Sequence, residues 1–159
     1  MNPTKKANGF TLIEVLAVII IIAILGAVAI PKLVSSTANA RQKADVATAH
    51  QVKAALDRYQ LENGTYPKDL TGASGVVTSV SLIPKYISKL DTSTTQQAVG
   101  DKKGFGVVLV DADATDPWKM TIPDTKTNTI MIYLNSNALV AEVQVFDQNF
   151  STVLWSSAD

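Results

Sequence analysis

The chain has 159 residues, 47% of them hydrophobic, and its 14 basic and 14 acidic side chains give a formal net charge of zero. That balance lacks the basic excess of a nucleic-acid binder, and no nucleic-acid site is identified. With no cysteine and a single histidine, His50, the chain has no disulfide scaffold, thiolate metal site, cysteine nucleophile or histidine cluster.

The length fits one domain preceded by a separate N-terminal segment. Phe10 to Ile30 is a run of 21 residues with one charge, Glu14, and nothing polar follows from Val15 to Ile30. As a helix the run would span roughly 30 Å, the thickness of a bilayer's hydrocarbon core. Lys5 and Lys6 precede it, so the positive-inside bias keeps that end in the cytoplasm and delivers the rest across the membrane. Three readings are open. A secretory signal peptide would be cut at the small residues Ala27-Val28-Ala29. A plain uncleaved anchor is the second. Both leave Glu14 unexplained, because a carboxylate in lipid costs at least a few kcal/mol unless paired or protonated.

The third reading rests on a resemblance. "GFTLIEV", Gly9 to Val15, resembles the processing site of type IV prepilins and pseudopilins, and "AIP" at Ala29 to Pro31 sits where that family has its proline. The resemblance implies that a membrane-embedded prepilin peptidase cuts between Gly9 and Phe10 and that Phe10 is then N-methylated. The leader would be residues 1–9. Glu14 becomes the fifth mature residue, where the family carries its glutamate. In that setting the new α-amino group of Phe10 would reach Glu14 of a neighbouring helix and fix register during assembly. Leaving either charge alone would be strongly destabilising. An intrachain pairing, Phe10 with Glu14 at i and i+4, competes with it.

Beyond Pro31 no glycine or proline occurs from Lys32 to Asn63. Val52, Ala55, Leu56 and Tyr59 fall on one helical stripe, and Ala38, Ala44 and Ala47 continue it thinly towards Pro31. The segments are therefore 10–30, an apolar membrane and assembly helix; 31–63, its amphipathic continuation; and 64–159, a globular body. Asn63-Gly64 is the stop signal. Gly26 and Pro31 are the expected kink, since proline has no N–H and crowds the carbonyl four residues back. By resemblance the stretch between them loosens in assembled fibres. His50 is expected at the surface or the boundary of the helix.

In the body, Ser81 to Leu90 is expected to hold a short helical turn. Four apolar alternations predict strands: Gly104 to Val110, Thr129 to Leu134, Ala138 to Phe146 with Val140, Val143 and Val145 inward, and Phe150 to Trp155. The expected fold class is α+β, a long N-terminal helix packed through Leu56 and Tyr59 on an antiparallel β-meander. "DADATDPW" places Asp111, Asp113 and Asp116 close together. It lacks the EF-hand glycine and glutamate, so the three acids are a candidate Ca²⁺ loop only, and a solvated turn is the alternative. Its Asp-Pro-Trp resembles the major pseudopilins. Trp118 and Trp155 are expected as core or boundary aromatics.

No triad, paired carboxylates or phosphate loop stands out, so no enzyme activity and no cofactor is assigned. The resemblance implies a structural subunit of a type IV pilus, waiting in the inner or cytoplasmic membrane and ending at the cell surface. Its partners would be the prepilin peptidase, an inner-membrane assembly platform and identical subunits. The alternatives are a pseudopilin of type II secretion or of a competence DNA-uptake system, and a membrane-tethered binding domain.

Overall fold

The computed structural model describes residues 10–158. One helix, α1, runs Leu12–Asn63 without interruption, including through Gly26 and Pro31. The chain divides into two compact units, one ending at Ala38 and the other covering Asn39 onward.

The second unit holds residues 39–63 of α1 and six strands. Strands β1 (Thr71–Ala73) and β2 (Val76–Thr78) form a hairpin that the strand alternations did not predict. Its turn residues Ser74 and Gly75 both take positive φ, 50° and 78°. That is the two-residue turn whose twist matches paired strands, so the Ser-Gly dipeptide was its cue in the sequence. Strands β3 (Phe105–Val110), β4 (Ile130–Asn135), β5 (Ala141–Phe146) and β6 (Val153–Ser156) form one sheet in that order.

The α+β architecture holds, with one change to the meander. β3 runs parallel to β4, in the register Phe105↔Ile130, while β4–β5 and β5–β6 are antiparallel. A parallel neighbour requires a crossover connection of a dozen or more residues. The segment between Val110 and Ile130 is long enough to provide it.

This crossover also accounts for the composition of β4, which is buried along its whole length. Ile130, Ile132 and Leu134 join Ala49, Val52, Ala55 and Leu56 of the helix in the main core. Met131 and Tyr133 face the other way and pack with Phe146 against Met120 and Ile122 of the crossover. A strand covered on both faces reads as a continuous apolar run. Burying each large side chain contributes about 1.5–3 kcal/mol.

Two of the predicted strands start three residues late and the other two one residue late. β5 begins at Ala141 because the Asn135 side chain accepts the N–H groups of Leu139 (2.8 Å) and Val140 (2.9 Å), holding 136–140 in a turn. Val140 is half-buried outside the strand, and Ala141 takes the inward place in step with Val143 and Val145. β6 begins at Val153 because Asp147 accepts the N–H groups of Ser151 (2.8 Å) and Thr152 (3.1 Å). Within 80–86, Ile83 N–H bonds Ser79 O and Tyr86 N–H bonds Leu82 O, the expected helical turn.

The helix stops at Asn63 as predicted, with Gly64 N–H on Gln60 O at 2.7 Å. The Gly75 and Gly104 backbones touch, and a Cβ on either would overlap the other's neighbourhood. Both have positive φ, 78° and 101°. Glycine is thus needed twice over at this junction, where Phe105 N–H bonds Gly75 O at 3.0 Å and ties the hairpin to the sheet.

Candidate functional site: the apolar helix and its cap

From Phe10 to Thr37 every residue except Gly26 is exposed. The exposed side chains include Ile19, Ile20, Ile21 and Ile22 in succession, so no face of this helix is covered. A helix apolar all round is one that another medium must bury. Leaving this much aliphatic surface in water is unfavourable by on the order of tens of kcal/mol. Two surroundings remove that cost, lipid or other apolar helices. The helical backbone satisfies its own polar groups in either. Among the described residues this is the one helix long and apolar enough to cross a membrane.

The polar groups of the segment are gathered at its ends. Past Pro31, the Ser35 hydroxyl donates to Lys32 O (3.0 Å) and the Thr37 hydroxyl to Leu33 O (2.5 Å), returning these side chains to the helix backbone. At the start, Thr11 precedes the first helical residue. Its N–H and hydroxyl donate to Glu14 Oε2 at 2.9 and 2.8 Å, and Glu14 N–H points back to Thr11 Oγ1 at 3.4 Å. This is a capping box, in which Thr and Glu three residues apart satisfy each other's free helix-end donors. Within the uncut chain Glu14 is therefore held by Thr11 at i−3; a pairing with the Phe10 amine, between helices or within one, would need the chain cut before Phe10. The signal in the sequence is Thr-x-x-Glu ahead of an apolar run. Both Thr11 contacts use Oε2, and Oε1 accepts nothing among the described residues. Gly9 lies outside the described residues. Phe10 is 87% exposed.

In the body, the stripe on α1 differs from the sequence reading near its start. The buried positions are Asp45 and Ala49, with Ala44 half-buried and Ala47 exposed. Asp45 is fully buried and accepts the backbone N–H groups of Gln96 (2.6 Å) and Gln97 (3.2 Å), which pins the 91–97 segment to the helix. Sequence reasoning missed it. Its cue was an acid four residues before Ala49, in line with Val52 and Leu56. His50 is exposed and packs at a 45° tilt against half-buried Trp155 with 4.2 Å between centroids, the boundary placement expected for both. Trp118 departs from expectation and is 62% exposed.

The three acids of the crossover do not converge. Asp113 Oδ1 accepts Thr115 N–H (2.8 Å), the Thr115 hydroxyl (2.6 Å) and Asp116 N–H (3.2 Å). Asp116 Oδ1 accepts Trp118 N–H at 3.0 Å. The loop is tied down by Pro117 O, which accepts from Asn135 and Asn137. Among the described residues no group of three metal-ligating side chains is assembled. The Asp113 carboxyl is held below its usual range by the Thr115 hydroxyl and then by the N–H groups of Thr115 and Asp116.

Residues 4–30 match the family model described as the prokaryotic N-terminal methylation motif. The chain is 42% identical over 90 residues to the type IV major pilin protein PilE of Neisseria gonorrhoeae, covering 57% of this chain and 52% of that one. It is 40% identical over 91 residues to a fimbrial protein of Neisseria meningitidis, with 57% and 52% covered. Over 110 residues it is 31% identical to the type II secretion system core protein G of Escherichia coli, covering 69% of this chain and 76% of that one. It thus spans about half the length of the Neisseria pilins it matches. No solved structure matches it. A capped, uncovered apolar helix carrying the methylation motif, followed by an α+β body, and likeness to a pseudopilin over three quarters of its length place this chain in the type IV pilin-like family.

Proposed function

We propose that this chain is a filament subunit that is stored in the membrane and polymerises through residues 10–30. The observation that carries the reading is the helix exposed on every face, because none of the described residues covers it. In the precursor, lipid does so, with Lys5 and Lys6 holding the N-terminus at the cytoplasmic face. A prepilin peptidase hydrolyses the Gly9–Phe10 amide, releasing residues 1–9 as a carboxylate and leaving an ammonium on Phe10, which then receives a methyl group. An assembly platform in the inner membrane moves the subunit from lipid into a bundle of identical helices.

The capping box gives this step a physical form. Glu14 is held by Thr11 in the single chain, with Oε1 available. In the bundle, that oxygen meets the Phe10 ammonium of a neighbour, and a subunit out of register strands both charges in an apolar interior. Pro31 frees the Ala27 carbonyl, so Gly26 to Pro31 is where the helix would loosen on assembly. Residues 31–63 then carry the bodies, 64–159, at the filament surface and, for a pilus, outside the cell.

The mature mass and the fibres test this. Sheared fibres should contain the chain starting at N-methylated Phe10. A secreted soluble product starting after Ala29, or one retaining residues 1–9, rejects the reading. A second reading, a pseudopilin of type II secretion, is favoured by the alignment covering 76% of core protein G against 52% of the pilins. It predicts the same mature N-terminus with no surface fibre and a secretion defect on deletion. A defect in DNA uptake alone would indicate the competence variant.

A further inference from the structure

Two stretches fit the pattern Asn-x-Ser/Thr with a non-proline centre: Asn63-Gly64-Thr65 and Asn149-Phe150-Ser151. The structure separates them. At Asn63 the side-chain nitrogen, the atom such a modification would use, already donates to Tyr59 O at 2.8 Å and reaches the Tyr86 hydroxyl at 3.4 Å. Asn149 stands at the exposed corner of the β5–β6 turn, and its amide enters no side-chain hydrogen bond among the described residues.

The turn beneath it is firmly built. Phe150 N–H bonds Asp147 O at 3.1 Å, and Phe150 takes a φ of 60°. The Phe150 ring stacks on Phe146 with 6.2 Å between centroids, and the Lys102 ammonium lies 4.7 Å from its centre. Asp147 accepts the Ser151 N–H and hydroxyl, both at 2.8 Å. The result is a fixed corner that presents to solvent a carboxamide with no side-chain partner among the described residues. An acid, Asp147, also stands two residues before Asn149, where Asn63 has Leu61.

We propose that Asn149 is an acceptor for an N-linked glycan, added once the body has crossed the membrane. The inference rests on the export in the proposed function. The donor is an oligosaccharide on a polyprenyl diphosphate. The Asn149 amide nitrogen forms a C–N bond to the anomeric carbon, the anomeric C–O bond breaks, the diphosphate leaves with the electron pair, and the amide gives up one proton. Substrate positioning uses the Ser151 hydroxyl, which must leave Asp147 to do so. Asn149 itself is exposed, so a bulky polar group there starts from solvent.

The full chain is to be purified from the cells that produce it and mapped by glycopeptide mass spectrometry, with the N-terminal peptide read from the same digest. A carbohydrate mass on Asn149 is expected, lost in Asn149→Gln and Ser151→Ala and kept in Asn63→Gln. Bare Asn149 in protein that starts at Phe10 overturns the proposal, as does sugar only on Asn63 or on a serine or threonine. If the chain does not start at Phe10, the export reading has failed instead. The site is then decided by incubating purified full-length chain with a bacterial oligosaccharyltransferase and its lipid-linked donor. Transfer to Asn149 supports the site, and transfer to Asn63 alone or none rejects it.

Discussion

The two stretches of α1 share one backbone and differ in who supplies their surroundings. Residues 39–63 bury a single stripe, Asp45, Ala49, Val52, Ala55 and Leu56, against their own sheet. Residues 12–37 bury none of their aliphatic side chains. The first stretch is amphipathic because its partner is on the same chain and lies on one side. The second is apolar all round, and none of the described residues covers it. Helicity is common to both, so the pattern of side chains, not the propensity to form a helix, records where the complement lies.

Separating the stretches should have the largest effect. A chain beginning at Asn39 keeps the whole core and should be a folded, water-soluble monomer by gel filtration and circular dichroism. The chain beginning at Phe10 should partition wholly into detergent or vesicles, the apolar stretch contributing on the order of tens of kcal/mol. An insoluble Asn39 chain would mean that the body depends on residues 10–38.

Next comes the charge at the apolar end. Glu14→Ala should abolish fibres, because each neighbour's ammonium would be left buried and unpaired, at about 3–5 kcal/mol per subunit. Thr11→Ala removes only the cap, about 0.5–2 kcal/mol, so fibres should persist. Equal assembly defects in sheared-fibre yields would reduce Glu14 to a capping residue.

On the inward-facing stretch, Leu56→Ala should cost the body roughly 2–5 kcal/mol in urea unfolding while leaving membrane partition of the precursor unchanged. Gly104→Ala should cost roughly 2–4 kcal/mol, since it adds a side chain where φ is positive and the Gly75 backbone is in the way.

The smallest effect is a pH dependence confined to the body. Burial alone would raise the Asp69 carboxyl. The hydroxyl and N–H of Ser81, the Ser79 hydroxyl and the Val80 N–H outweigh it and bring the group from 3.8 to about 2. A carboxyl more acidic folded than unfolded stabilises fully above its unfolded value and loses that contribution as pH falls through its folded one. Asp69→Asn should therefore flatten the fall in stability between about pH 4 and pH 2, by a modest amount given the exposure of the site. Parallel slopes for variant and wild type would remove Asp69 from the account.

The apolar run, the motif around Glu14, the helix stop at Asn63-Gly64 and the strand segments were legible because each is written in residues adjacent in sequence. The Ser74-Gly75 hairpin and the Thr11–Glu14 cap are equally local, but strands of three residues carry no apolar alternation to read.

What the sequence determined by itself is the helix, its apolar and amphipathic halves and the motif at its start, since hydrophobic period and local hydrogen bonding act within a few residues. Only the tertiary structure decided that β3 lies parallel to β4, that Asp45 is spent on the backbone of Gln96 and Gln97, that Gly75 meets Gly104, and that Asn149 is free where Asn63 is engaged. Each of these joins groups far apart in the chain or depends on the space around them. Composition and spacing do not encode which distant backbone will arrive to complete a contact.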